Sequence, residues 1–420
     1  MSLFSKLFKR KFQGNHALSL DIGTEFIKAL VFGTGPEERK REVIGVGRQR
    51  QRTGDMQAGA VTDISGVVRS CSRAIAKAEE MCGIRPDQVI IGIAGELVKG
   101  STTTVHYERL NPKSKIDLPE LQNIVHKVQW KAFDTIRKQL SWETGQPEID
   151  VKLINAAIVD VRIDGYRVNN PLGFQGKEVS IGIFNAYAPL IHLGALETIA
   201  SDLDLDLLSI VAEPYAVAKC MEIEDNLDFS AIFMDIGGGT TDIAVVRNGG
   251  MEGMRMFGLG GRAFTKRISQ ELGVSFTEAE ETKIKYANKM LSPRLEGNIK
   301  NLLKGDLEVW LSGVELSLSE FSSLELLPSK ILLCGGGSVL PGIEESLGSK
   351  EWIQKLPFAH QPKIRYILPE DILSIRDKTG LLVDPQDITP MALANLALDL
   401  AGEKSTLSRI LGRVVKMVQT

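Results

Sequence analysis

Two aspartates sit in matching surroundings in widely separated parts of the chain. Ala17-Leu-Ser-Leu-Asp21-Ile-Gly23-Thr24 and Ala231-Ile-Phe-Met-Asp235-Ile-Gly237-Gly238-Gly239-Thr240-Thr241-Asp242 each end an apolar run in a carboxylate and then turn through glycine. Glycine lets backbone N–H groups approach an anion without side-chain bulk. A carboxylate beside hydroxyls at Thr24, Thr240 and Thr241 suits a phosphate chain carrying a hydrated magnesium ion. Seven residues beyond each aspartate stand Lys28 and Asp242, the lysine being a point charge for inner phosphates. A third loop, Gly335-Gly336-Gly337-Ser338, follows an apolar run and precedes Pro341-Gly342; close backbone approach there suits an adenine or a ribose. Alone, each loop also reads as a tight structural turn; the repeated arrangement points to two similar half-domains facing one ligand.

The elements that must position these loops are strands and helices in α/β order. Residues 25–33 and Glu42–Arg48 read as strands after the first turn. A periodic helix runs from Asp63 toward Cys82-Gly83, and Gln88–Ala94 is a buried strand. Glu178–Asn185 and Leu207–Val211 read as strands around a helix at Ala188–Ser201, and Glu213-Pro214 opens another helix. Gly260-Gly261 ends a strand and opens a helix at Arg262, and residues 295–321 read as a long helix or a helix pair. Residues 101–177 look inserted: Asp117 with Glu120 forms a capping box for a helix over Leu118–Leu140, and an Asp164-Gly165 turn divides an alternating segment.

Composition bounds the function. The 420 residues exceed one ordinary core, so two domains are expected. A net charge of −3 argues against nucleic acid as the main partner. Cys71, Cys82, Cys220 and Cys334 form no C-x-x-C and no disulfide framework, which fits a reducing compartment. No apolar run reaches the ~18 residues of a spanning helix, no secretory signal is visible, and Ser2 excludes N-myristoylation. Met1–Phe12 is basic and amphipathic, readable as an interfacial anchor or as a disordered tail. Ser405–Thr420 places Leu407, Ile410, Leu411, Val414, Val415 and Val418 on one helical face, with Arg409, Arg413 and Lys416 off it; it reads as a helix docked on its own domain or as a membrane-surface helix.

Together these motifs resemble the actin-like ATPase superfamily. The resemblance implies an α/β, actin-like (ribonuclease H-like) duplicated two-domain ATPase fold. Asp21-Ile-Gly-Thr corresponds to its first phosphate loop, the Asp235–Asp242 stretch to its second, and Gly335–Ser338 to its adenosine loop. Glu213-Pro-Tyr-Ala-Val-Ala looks like the connecting helix, and Ala279-Glu280-x-x-Lys283 like the segment that contacts the nucleoside, with Gly260 and Gly261 beside it. Within the superfamily, Asn170-Pro-Leu-Gly173-Phe-Gln-Gly176, Gly59-Ala-Val-Thr-Asp63-Ile and Ile91-Gly-Ile-Ala-Gly95 are similar to FtsA. The family implies an inserted SHS2/FtsA-type subdomain at 101–177. The first actin-like subdomain is then 16–100 with 178–228, the second 229–270 with 328–400, a nucleotide-flanking subdomain 271–327, and the tails 1–15 and 401–420.

It also implies ATP and Mg2+ as ligands, the metal held by Asp21 and Asp235 through waters. Glu213 orients or deprotonates water in a slow hydrolysis; its position also suits a plain helix-start carboxylate. The implied partners are FtsZ and other divisome proteins, further copies of the chain, and the inner face of the cell membrane through a terminal amphipathic helix. PilM, the FtsA-like protein of type IV pilus assembly, offers a second role. A small-metabolite kinase is a third, but no substrate-pocket motif accompanies the loops.

Overall fold

The computed structural model describes residues 16–34, 41–145, 150–221, 229–321, 324–401 and 410–411. The N-terminal segment Met1–Phe12, the charged break at Glu222–Asp228 and all of Ser405–Thr420 except Ile410 and Leu411 lie outside the described residues.

The chain opens with the meander β1 (His16–Ile22), β2 (Phe26–Thr34), β3 (Arg41–Arg50), then the short pair β4 (Met56–Gln57) and β5 (Ala60–Val61), α1 (Ile64–Cys82) and β6 (Gln88–Ile93). Next come β7 (Lys99–Glu108), α2 (Leu118–Thr144), β8 (Val151–Ile163), β9 (Tyr166–Arg167) and β10 (Glu178–Pro189). α3 (Leu190–Asp202), β11 (Asp206–Ala212) and α4 (Glu213–Cys220) complete the first half. The second half runs β12 (Ala231–Ile236), β13 (Thr241–Arg247), β14 (Gly250–Phe257), α5 (Gly261–Leu272), α6 (Phe276–Ala287), α7 (Pro293–Ser319), β15 (Lys330–Cys334), α8 (Ile343–Leu347), α9 (Lys350–Ile353) and β16 (Lys363–Tyr366). β17 (Ile375–Asp377) and α10 (Ile388–Ala401) follow.

The internal echo is a repeat of topology. One sheet reads β11-β6-β1-β2-β3-β17 and the other begins β16-β15-β12-β13-β14. In each, an antiparallel meander carries two parallel strands beyond its first strand. The registers coincide: Asp21 lies opposite Lys28, and Asp235 opposite Asp242. Asn248 and Gly249 both take positive φ, as the Asn-Gly turn requires.

The second sheet continues through β7-β10-β8-β9, joined by pairing of β14 with β7 at Gly253–Ser101 and Met254–Gly100. α2 lies against β7 and β10 and seals an apolar cluster of its own. Asp117 caps α2 by accepting from the Glu120 N–H (2.9 Å), but the Glu120 carboxylate binds Arg109 (2.8 Å) instead of closing the box.

One boundary is corrected. Residues 375–400, assigned above to the second subdomain, belong with the first: β17 pairs with β3, and the Ser19 hydroxyl donates to the Pro390 carbonyl (3.0 Å). α10 is largely apolar because it packs against α4, β1 and β2 within the cluster shared by both sheets, while Thr389 serves Asp235 and Asn395 and Asp399 serve Arg41.

Candidate functional site

The two hairpin turns face each other across a cavity of about 490 Å3. Asp21, Gly23, Thr24, Glu25 and Lys28 line it from β1–β2, and Asp235, Gly237, Gly238, Thr240 and Asp242 from β12–β13. Glu213 enters from the start of α4, Gly261, Glu280 and Lys283 from α5 and α6, and Gly335, Gly336 and Gly337 from the loop after β15.

Four of the sequence-identified residues stand beside the cavity without lining it, each with a local task. Alternation along β13 turns Thr241 away from Asp242, and its hydroxyl donates to the Leu259 carbonyl (2.7 Å) and accepts from the Trp310 indole (3.0 Å). Ser338 donates to the Gly335 carbonyl (2.7 Å), bracing the loop. A Cβ at Gly260 would lie 2.6 Å from the Gly237 carbonyl, and one at Gly239 2.6 Å from the Thr24 hydroxyl. The glycines thus let the two turns and α5 approach closely. The N–H groups of Gly261 and Arg262 donate to the carbonyls of Gly237 (2.9 Å) and Gly238 (2.8 Å), tying α5 to the second turn.

The cavity gathers Asp21, Asp235, Asp242 and Glu213 around Lys28. Lys28 Nζ lies 3.0 Å from Asp21 Oδ2. Burial pulls the Lys28 ammonium pKa down, but Asp21, Asp235 and Asp387 outweigh it and leave the pKa above the ordinary lysine value. Burial pushes Glu213 well above the usual carboxylate range, with repulsion from Asp21, Asp242 and Asp235 adding to it. Asp242 is raised strongly by burial and then by Asp235, and Asp235 is raised by burial against the hydrogen bond that the Thr389 hydroxyl donates to its Oδ2. Glu213 packs directly over Gly92, where a Cβ would lie 2.5 Å from its Oε1.

These residues fit a magnesium-bound phosphate chain. Asp242 Oδ1 is buried with no hydrogen-bond partner, and Gly335 leaves room for Asp235 that a methyl group would fill. No group of three or more His, Cys, Asp or Glu placed to hold a metal ion occurs among the described residues.

Sequence reading missed several partners. Glu25 accepts from Arg50 (2.7 Å) on its own sheet and from Arg262 (2.8 Å) on α5, so one carboxylate bridges the two halves at the cavity wall. Lys283 is 2.9 Å from both Glu280 and the Thr265 hydroxyl, and donates to the Gly261 carbonyl (3.0 Å). Thr389 and Gln386 carry no local motif, only the turn residue Pro385 marking their loop, and Gly92 lies in the Ile91–Gly95 stretch without having been assigned to the site.

The family model described as "Cell division protein FtsA" matches residues 232–374. The cell division protein FtsA of Streptococcus pneumoniae is 23% identical over 421 residues, covering 96% of this chain and 88% of the relative. That of Neisseria meningitidis is 26% identical over 411 residues, covering 91% and 90%. Among solved structures, the PilM-PilN type IV pilus biogenesis complex aligns with a TM-score of 0.64 at 19% identity, covering 92% of this chain and 99% of that one. The chain is FtsA-like in sequence, PilM is a near relative in structure, and the fold is the actin-like one.

Proposed function

We propose that the chain is an ATP-binding, actin-like cell-division protein. In this reading it polymerises and tethers FtsZ-type filaments to the inner face of the cytoplasmic membrane. The observation that carries the ligand assignment is the pair of matched hairpins, which converge on one cavity where Asp235, Asp242 and Glu213 are buried together and Asp242 Oδ1 has no hydrogen-bond partner. Similarity to FtsA along most of the chain carries the cellular role.

Lys28 would pair with the inner phosphates, and the glycine turns would offer N–H groups to the phosphate chain. Asp21 and Asp235 would hold magnesium through its waters, and the ion would supply positive charge to the phosphate oxygens. Glu213, whose pKa burial raises, would accept a hydrogen bond from a water beside the phosphate chain and orient it. The resemblance to FtsA implies slow hydrolysis, with ATP chiefly a conformational ligand. No described helix is long and apolar enough to cross a membrane; in this reading attachment rests on a terminal amphipathic segment, as the sequence pattern of 405–420 suggests.

The test is magnesium-ATP binding by calorimetry, filament formation by electron microscopy and co-sedimentation with anionic vesicles. Asp235→Ala weakens the first at least tenfold with the fold intact, and deleting 405–420 abolishes the last. Unchanged ATP binding sinks the clamp; absence of both filaments and vesicle binding sinks the cellular role.

A second reading, a cytoplasmic adaptor of pilus assembly, is favoured by the alignment with PilM. A deletion strain that divides normally but lacks pili supports it; filamentous cells support the first.

A further inference from the structure

Asp235 belongs to the second half, but the hydroxyl that holds it belongs to the first. Thr389 is the second residue of α10, which packs on α4, β1 and β2. Its hydroxyl donates to Asp235 Oδ2. Thr389 and Asp235 are 4% and 8% exposed, and in such surroundings a hydrogen bond to a carboxylate is strong. The other oxygen, Oδ1, stands over Gly335, where a Cβ would lie 2.1 Å from it. A hydroxyl on one oxygen and bare backbone against the other fix the orientation of the carboxylate.

The chain around Thr389 is itself fastened to the first sheet. Asp387 is fully buried and pairs with Arg48 of β3 (2.7 Å). Its Oδ2 accepts from the N–H groups of Val383 (3.1 Å) and Asp384 (3.2 Å). The Pro390 carbonyl accepts from Ser19, two residues before Asp21. A second link crosses to the other half, where the Gly335 N–H donates to the Pro385 carbonyl (3.0 Å). Residues 385–390 therefore touch both strands that carry the matched aspartates, β1 through Ser19 and β12 through Asp235. The place of Thr389 is set by the first half, while the carboxylate it holds is carried by the second.

We propose that Thr389 is a positioning residue for Asp235: it ties down one carboxylate oxygen from the opposite half and so presents Asp235 to the hydrated cation of a bound nucleotide. The proposal rests on the magnesium-ATP reading given above. Valine at 389 keeps the branched shape and loses the donor; serine loses the methyl and keeps the donor. Without the hydroxyl the carboxylate is free to turn, and its orientation must be fixed at the moment the ion binds. Binding of the nucleotide without metal makes no use of that orientation.

The test compares Thr389→Val and Thr389→Ser in the full chain. Calorimetry measures ATP binding with magnesium and with EDTA, and thermal unfolding checks that each variant is folded. Thr389→Val is expected to weaken magnesium-ATP binding about tenfold and to leave metal-free ATP binding within about twofold of the parent, the loss of one hydrogen bond to a charged group being felt only with the metal. Thr389→Ser restores the magnesium-dependent affinity. Added to Asp235→Ala, Thr389→Val has no further effect, because nothing is left to position. Thr389→Ala replaces the valine variant if that one does not fold, with the same outcomes expected. If Asp235→Ala itself leaves magnesium-ATP binding unchanged, the clamp reading fails and the proposal falls with it. If Asp235→Ala weakens binding and Thr389→Val does not, the clamp stands and the positioning role is overturned. An equal loss with and without metal, or no rescue by serine, also overturns it, since packing alone would then account for Thr389.

Discussion

Adding one methyl group at Gly335 should disable the site, while the same addition next door should not. A Cβ at Gly335 would lie 2.1 Å from Asp235 Oδ1 and 2.5 Å from the Ile236 carbonyl, and its φ is +83°. An L-residue in that left-handed region costs about 1–2 kcal/mol. Forcing a methyl into packed surroundings costs about 1–3 kcal/mol more. Gly335→Ala therefore destabilises by roughly 2–5 kcal/mol and pushes Asp235 away from Thr389. At Gly336 the nearest atoms are in the Gln386 side chain, 3.8 Å away, which is ordinary contact. Gly336→Ala should stay within about 0.5 kcal/mol of the parent. Urea titration reads both through the midpoint at constant slope, and calorimetry reads magnesium-ATP binding, which Gly335→Ala should lose. Combining Gly335→Ala with Asp235→Ala should recover part of the stability, because the closest clash disappears, but none of the ligand binding. Equal effects at the two glycines would refute the packing argument.

Two more predictions concern charge. Glu213, Asp235 and Asp242 have folded pKa values raised above their unfolded ones, chiefly by burial. Between those values the folded chain holds more protons, so these groups make the ligand-free protein less stable as pH rises from about 4 through the raised range. Thermal midpoints from pH 5 to 8 should show that decline, and Asp242→Asn should flatten it; a parent slope that the substitution leaves untouched would count against it. Glu25→Gln removes the charge shared by Arg50 and Arg262. Both arginines are partly exposed, so the cost in stability is about 1 kcal/mol. Stopped-flow release of a fluorescent ATP analogue should quicken several-fold as the two halves part more easily; an unchanged release rate would show that the bridge does not gate the cavity.

The sequence revealed what short-range pattern encodes. Both hairpins were legible because an apolar run, a carboxylate and a glycine turn fall within a dozen residues, and Asp164-Gly165 because its dipeptide dictates a turn. α2 was legible from its cap and period, although Glu120 proved to serve Arg109. What was not legible joins single residues across the chain. Glu25 meets Arg262 and Thr389 meets Asp235, and no local period marks either partner. The misassigned end of the chain belongs to the same class. An apolar helix such as α10 says that it is buried, but not against which sheet.

The placement of α10 sets an order of events during synthesis. The apolar cluster of the second half draws on a continuous stretch, from Ile232 to Leu356 with Ile364 and Tyr366 packed against it. That unit can close as soon as it leaves the ribosome. The cluster around β1 and β2 lacks Met391, Leu393 and their neighbours until those residues have been made. β1 and β2 therefore wait for these partners while about 350 further residues are translated, a window in which a holdase chaperone has the most to protect.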